Sequence, residues 1–306
     1  MTLVSVIITV YNLDIYIDRT IRSVLDQSYP NIELILVDDR SPDNSWAVME
    51  KLSDQDFRVK SIRLSRNVGQ HRAITAGLDH VTGNWIVVMD CDLQDVPEEV
   101  PRLYSEAIKG FDCVTARRVI RKDKFFKKLF SALFYSFLAY MTDTPQDSTV
   151  ANFGMYHRRV INSLCSMREE VRYFPLMIRW LGYNYTSIQV THSHRTIGQS
   201  SYSLRKLIKL ALEIIVAFST KPLRLAVKSG AILASLSFCA GLLLIFCSLS
   251  GEFKVQGWAS LIVTLCFFSG IQIFVLGILG LYIGKTFDQV KNRPLYFIDK
   301  TSNITV

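Results

Sequence analysis

The stretch VVMDCDLQD, Val87 to Asp95, ends a run of β-favouring apolar residues in Asp90, Cys91 and Asp92, with Gln94 and Asp95 close behind. Residues two apart in an extended chain face the same side, so Asp90 and Asp92 can aim at one point. Two bare carboxylates about 4 Å apart repel by roughly 4 kcal/mol at an effective dielectric near 20. A divalent cation between them removes that cost. Hard oxygen ligands favour Mg²⁺ or Mn²⁺, which complete their shells with water and substrate phosphate. The chemistry implied is departure of a diphosphate whose growing charge is neutralised. A second acidic pair, Asp38 and Asp39, suits a nucleoside through ribose hydroxyls or base N–H groups. The alternative for the same pair, within DDRSPDNS, is loop capping.

The elements around these residues alternate. VSVIITV (Val4 to Val10), IELILV (Ile32 to Val37), VKSIRL (Val59 to Leu64), WIVVM (Trp85 to Met89) and FDCVTA (Phe111 to Ala116) read as strands. Helices are expected over Leu13 to Gln27, Asn44 to Leu52, Gly69 to His80 and Pro97 to Lys109. Near-continuous apolar strands separated by helices predict an α/β domain with a doubly wound, mostly parallel sheet. Ligands of such sheets gather at the carboxyl ends of the strands. Polar residues load those ends here: Tyr11 and Asn12 after the first strand, Asp38 and Asp39 after the second, Arg66 and Asn67 after the third, Asp90 and Asp92 after the fourth.

Several classes are excluded. The first strand is followed by VYNLDIY, which has no glycine, so a dinucleotide fingerprint is absent, as is a P-loop. The six cysteines are scattered without a CxxC, which indicates neither a zinc site nor a disulfide framework. A start of MTLVSVIITVYN lacks the basic opening of a secretory signal. The formal charge of +8 suits anionic lipid or phosphate; it lies largely beside apolar segments, so nucleic acid is not the expected partner.

Hydrophobic residues make up 49% of the 306, and they are unevenly spread. No charge interrupts Ser229 to Gly251 or Val255 to Gly284. Each run exceeds the roughly 20 apolar residues that cross a bilayer. The second, wholly helical, would be about 45 Å long and so tilt or protrude. Lys221, Arg224 and Lys228 precede the first run, and Lys285, Lys291 and Arg293 follow the second. The positive-inside rule then places both chain ends in the cytoplasm, with a short external loop. Lys122 to Met141 and Leu204 to Phe218 open basic and turn apolar, as helices lying in a headgroup layer do. The expected organisation is a catalytic domain over 1–200, juxtamembrane helices over 201–225, two membrane helices within 226–284 (about 229–251 and 256–282), and a tail over 285–306.

SVIITVYN, VDDRSPDNS, LSRNVGQHRAITAGLDHVTGNWIVVMDCDLQD and SYSLRKLIKLALEIIVAFSTKPLRLA resemble the family 2 glycosyltransferases with the GT-A fold. The nearer likeness is to the polyprenyl-phosphate branch, the dolichol-phosphate mannose synthases and bacterial bactoprenol glucosyltransferases. The resemblance runs nearly end to end, through the tail GILGLYIGKTFDQVKNRPLYFI. It implies inverting transfer of a sugar from a nucleotide sugar, with a UDP sugar expected, to a polyprenyl phosphate such as undecaprenyl phosphate. It also implies a multi-pass protein of the bacterial inner membrane whose catalytic domain faces the cytoplasm. By position Thr9, Tyr11, Asn12, Asp38, Asp39, Arg66, Asn67, Asp90 and Gln94 match nucleotide-sugar residues, and Asp90 and Asp92 the metal and diphosphate motif. Arg118 and Arg121, an R-x-x-R, match residues expected with Lys128 and Arg195 to grip the acceptor phosphate. An anionic nucleophile needs placing more than a strong base, which arginine's planar fork supplies. The resemblance further implies a homo-oligomer, a tetramer, with membrane lipid and a flippase as further partners.

Two positions depart from the pattern. Where the family often has TGDF this chain has VANF, so Asn152 stands for an acid; Asp147 is the nearby carboxylate that could substitute. Where the family often has SKY this chain has SSY, so Ser201 stands for a lysine. Two other functions fit the same residues: transfer to the hydroxyl of a lipid-linked saccharide, and a non-catalytic scaffold that binds nucleotide sugar.

Overall fold

The computed structural model describes residues 2–118, 136–142, 150–190, 212, 214–249 and 257–304. Strand β1 (Val4–Val10) and strand β2 (Ile32–Asp38) are buried along almost their whole length. Only a sheet covered on both faces leaves strands so apolar throughout. They pair in parallel with each other, β1 also with β4 (Trp85–Asp90), and β2 with β3 (Val59–Leu64). Helices α1 (Asp14–Leu25), α2 (Ser45–Gln55) and α3 (Gln70–Leu78) make the connections. Val4, Val6, Ile8 and Val10 share a core with Ile17, Ile21 and Val24 of α1 and Met49 of α2. The opposite face carries α3. A Cβ on Gly77 would stand 2.6 Å from Ile7 Cγ2 and 3.2 Å from Val37 Cγ2, so only glycine lets α3 lie this close to the sheet.

Beyond β4 the sheet becomes mixed. A short 3₁₀ turn (Pro97–Glu99) leads into α4 (Val100–Ala107), dividing the helix expected over Pro97 to Lys109. Strands β5 (Cys113–Arg118), β6 (Val150–His157) and β7 (Tyr185–Val190) follow, with α5 (Arg158–Ser166) and α6 (Phe174–Trp180) between the last two. β6 runs antiparallel to both β4 and β5. The final strand, β8 (Ile298–Ser302), pairs antiparallel with β3, giving the order β7-β5-β6-β4-β1-β2-β3-β8. The residues from Arg293 onward therefore belong to the sheet unit rather than to a separate tail. Leu295 is buried there, Tyr296 Oη donates to Asp79 Oδ2 (2.7 Å), and Asn303 Nδ2 donates to the carbonyls of Ser53 and Val59.

At the amino-terminal edge of the sheet, Glu33 of β2 is buried. Its oxygens accept from Ser5 Oγ, Lys60 Nζ (2.8 Å), the Thr82 N–H (2.5 Å) and hydroxyl (2.7 Å), and the Gly83 N–H (3.1 Å). Burial opposes its ionisation, but Lys60, Ser5 and Thr82 outweigh burial and bring the carboxyl down to about 2.

The second unit contains Ser203–Asn292. Its described elements include helical residues 214–218, α7 (Lys221–Leu249) and α8 (Trp258–Val290). At 29 and 33 residues these last two are about 44 and 50 Å long. Both contain stretches long and apolar enough to cross a membrane, and large apolar side chains such as Phe238, Phe246, Ile273 and Phe274 are exposed along them. Each helix extends beyond the charge-free run read in the sequence, α7 starting at Lys221 and α8 continuing to Val290.

Candidate active site

Parallel pairing brings the carboxyl ends of four strands to one edge. Asp90 is the register partner of Thr9, Val10 of Asp38, and Asp38 of Arg63. Tyr11 follows β1 with its ring half exposed, and Arg66 and Asn67 are exposed after β3. The loops after β1, β2 and β4 each hold one non-glycine residue in the left-handed region: Asn12 (φ 58), Arg40 (φ 59) and Leu93 (φ 58). Such conformations cost free energy and concentrate at functional sites.

Within the DCD stretch only the middle residue is fully buried. Cys91 belongs to the core; burial, opposed by Thr20 and reinforced by the flanking carboxylates, pushes its thiol up to about 12. The Cys91 carbonyl accepts from Thr20 Oγ1 of α1 at 2.9 Å, which pins the loop from below. Asp90 and Asp92 are half-buried. Asp90 Oδ1 accepts from Gln70 Nε2 of α3 at 2.7 Å, and the Asp90 N–H donates to Asp95 Oδ2 at 3.1 Å. Asp92 Oδ1 accepts from the Gln94 N–H at 3.1 Å, closing a turn. Among the described residues no group of three or more His, Cys, Asp or Glu side chains is placed to cage an ion. Asp90 and Asp92 would offer an ion two carboxylates from one loop. That fits Mg²⁺ or Mn²⁺ bound through one or two carboxylates with substrate phosphate and water, and does not fit an all-protein cage.

Asp38 and Asp39 are fully or nearly fully buried, and burial raises both carboxyls above their ordinary range. Asp38 Oδ1 accepts from the Ser41 N–H (2.8 Å). Arg63 Nε lies 3.3 Å from Asp38 Oδ2, an ion pair too poorly aligned to be a hydrogen bond. Asp39 receives the N–H groups of Val68 (2.7 Å) and Gly69 (2.9 Å), one on each oxygen, at the mouth of α3. The rest of this loop caps α1: Ser41 Oγ, Ser45 Oγ and Asp43 Oδ2 accept from the N–H groups of Asn12, Leu13 and Asp14. So the capping expected of DDRSPDNS is present, and it is used to fix the first loop of the site.

The first turn of α3 reaches three neighbours. Gln70 holds Asp90. His71 is in edge-to-face contact with Tyr173, ring centroids 5.0 Å apart; burial, with Arg172 nearby, holds its imidazole down at about 4. Arg72 donates to the carbonyl (3.0 Å) and carboxylate (2.5 Å) of Glu170. Asn152 is half-buried on β6, and the antiparallel register Val87↔Met155, Val88↔Gly154 runs it toward the end of β4 that carries Asp90. Arg118 ends β5. Arg121, Lys128, Asp147 and Arg195 lie outside the described residues, as do most of Lys122–Met141 and Leu204–Phe218.

The family pattern described as "Glycosyl transferase family 2" matches residues 5–165, which contain every strand end named above. The chain belongs to glycosyl transferase family 2. Its similarity to family 2 relatives extends through the apolar helices. The chain is 36% identical to the uncharacterized glycosyltransferase YkcC of Bacillus subtilis (strain 168), over 98% of this chain and 94% of that one. It is also 36% identical, with the same coverage, to the undecaprenyl-phosphate 4-deoxy-4-formamido-L-arabinose transferase of Proteus mirabilis (strain HI4320). Among solved structures, the fold is shared with glucosyl-3-phosphoglycerate synthase of Mycobacterium tuberculosis in complex with Mn²⁺, UDP and glucosyl-3-phosphoglycerate. The TM-score is 0.51 at 17% identity, over 71% of this chain and 78% of that one.

Sequence reading missed Gln70 and Thr20 in this family 2 site. Both act through one hydrogen bond each across elements. The signal for Gln70 was its place at the start of a helix entered directly from the third strand end; for Thr20, a hydroxyl on the apolar stripe of α1.

Proposed function

We propose that this family 2 enzyme transfers a sugar, with inversion, from a nucleotide sugar to a polyprenyl phosphate at the cytoplasmic face of a bacterial inner membrane. The observation carrying this reading is similarity along 98% of the chain, apolar helices included, to an undecaprenyl-phosphate sugar transferase. An acceptor of that kind places a phosphate headgroup at a bilayer surface, which suits a chain with two helices able to cross one.

Asp90 and Asp92 are the residues to hold Mg²⁺ or Mn²⁺, which when bound neutralises the charge growing on the nucleotide diphosphate as it leaves. Gln94, whose backbone closes the Asp92 turn, is assigned to that diphosphate. Thr9, Tyr11, Asn12, Asp38, Asp39, Arg66 and Asn67 line the nucleotide's side of the edge: Tyr11 offers an exposed ring, Arg66 and Asn67 exposed polar heads, and Asp39 a fixed loop. A UDP sugar is the proposed donor. Arg118, Arg121, Lys128 and Arg195 are assigned to the acceptor phosphate. That nucleophile is already anionic near neutral pH, so neutralisation and placing supply most of what a base would. Asn152, approaching the same edge from β6, orients a phosphate or sugar oxygen, with Asp147 as the neighbouring acid.

Incubating membranes that contain the protein with radiolabelled nucleotide sugars, Mg²⁺ and undecaprenyl phosphate should yield a labelled lipid from one donor. No labelled lipid from any donor defeats this function; a labelled product only when a lipid-linked saccharide is supplied reassigns the acceptor.

A further inference from the structure

A hydrogen bond from Gln70 ties α3 to Asp90 of the carboxylate pair, and the donor is held more firmly than a lone surface glutamine. On its amino-terminal side, Asp39 grips the N–H groups of Val68 and Gly69, one oxygen to each. Gly69 turns there with φ 89, a conformation that glycine adopts without strain. On its carboxyl-terminal side, His71 packs on Tyr173 and Arg72 bonds Glu170, so the next two residues are fastened to the segment before α6. Beneath, Gly77 lets the same helix rest on Ile7 and Val37. Gln70 therefore extends from a turn fixed on three sides. Its amide reaches 2.7 Å from Asp90 Oδ1, while the Asp90 backbone is tied to Asp95.

We infer that Gln70 is a positioning residue that fixes the rotation of the Asp90 carboxylate, with Asp39 acting as the anchor that sets Gln70 in place. This rests on the assignment of Asp90 and Asp92 as the cation-holding pair. An amide suits the task. It donates one hydrogen bond without adding charge, so it orients the carboxylate and leaves the negative charge for the cation. An unheld carboxylate must lose rotational freedom when it ligates; a held one has already lost it, and the gain appears as affinity. The arrangement also couples two strand ends. A change at Asp39, after β2, is felt at Asp90, at the end of β4, through the first turn of α3.

The test uses the purified full-length protein in detergent and reads Mn²⁺ binding from the electron paramagnetic resonance signal of the free ion, with UDP, GDP, ADP or CDP present. Gln70→Met keeps the length and loses the N–H; Gln70→Ala loses both and retains helix propensity. Each should raise the Mn²⁺ dissociation constant about tenfold, while the unfolding temperature shifts by no more than about 2 °C, since one hydrogen bond at a half-buried site is lost. In an Asp90→Ala background the same changes should add nothing, because the partner through which Gln70 acts is gone. A dissociation constant within about twofold of wild type, or a full additional loss in the Asp90→Ala background, overturns the inference and leaves the proposed function standing. Wild-type protein that binds no Mn²⁺ with any of the four nucleotides overturns the cation assignment itself, and the role of Gln70 falls with it.

Discussion

Glu33→Gln is the perturbation whose size can be worked out most directly. The Glu33 side chain is 6% exposed and receives hydrogen bonds from Lys60, Ser5, Thr82 and Gly83, joining β1, β2, β3 and the turn before β4. Its carboxyl is lowered from 4.5 to about 2. One unit corresponds to about 1.4 kcal/mol, so the folded state gains about 3 kcal/mol from holding this group ionised. Because the folded value lies below the unfolded one, that stabilisation is complete above about pH 4.5 and disappears as pH falls toward 2. Glutamine copies the protonated acid in shape and carries no charge. The variant should therefore be about 3 kcal/mol less stable than wild type near pH 6, and the gap should shrink to about 1 kcal/mol or less by about pH 2.5. Comparing the two proteins cancels the other acids, including Asp38 and Asp39, whose raised values act in the opposite direction. Urea unfolding of the detergent-solubilised protein, followed by tryptophan fluorescence across this pH range, measures the gap. A difference between the two proteins that stays constant from pH 6 to 2.5 refutes the reasoning. So does a difference below about 1 kcal/mol at pH 6, since lost buried charge-assisted hydrogen bonds cost more than that.

Four further outcomes follow from the geometry. Asp92→Ala should reduce sugar transfer at least about a hundredfold, with membrane insertion unchanged by alkaline extraction, as expected when a group stabilising leaving-group charge is lost; chelation by EDTA should have the same effect on wild type. Gly77→Ala should destabilise the protein by about 1–3 kcal/mol in thermal unfolding, because its new methyl meets Ile7 at 2.6 Å and the helix must lift. Ending the chain after Asn292 removes β8 and the buried Leu295, which alone is worth about 2 kcal/mol. By contrast, Asp299→Ala breaks only a half-exposed pair with Arg40 and should cost under about 1 kcal/mol.

The first four strands were legible because parallel strands buried on both faces must be apolar throughout, and Val4–Val10 and Ile32–Asp38 are. The burial of Cys91 between Asp90 and Asp92 was legible through alternation. β7 and β8 were not. YTSIQV and IDKTS are mostly polar edge segments, and β8 pairs with β3 across more than two hundred residues, so no local pattern marks it. β6 carries Gly154, which sits where a Cβ would strike Tyr156, and its sequence VANFGMYH lacks the β-branched run of the central strands. Asp39 shows a different limit. A carboxylate after a strand can serve a ligand or a loop, and only tertiary structure reveals that both its oxygens already meet backbone N–H groups of the turn into α3.

The eighth strand has a consequence for biosynthesis. β3 emerges from the ribosome early, yet the segment that covers its outer edge follows both long apolar helices. Throughout translation that edge has open backbone donors and acceptors, a template on which nascent chains aggregate. The sheet is sealed only after α7 and α8 have been made. Chains stalled before that point carry an unfinished sheet, with the outer edge of β3 uncovered.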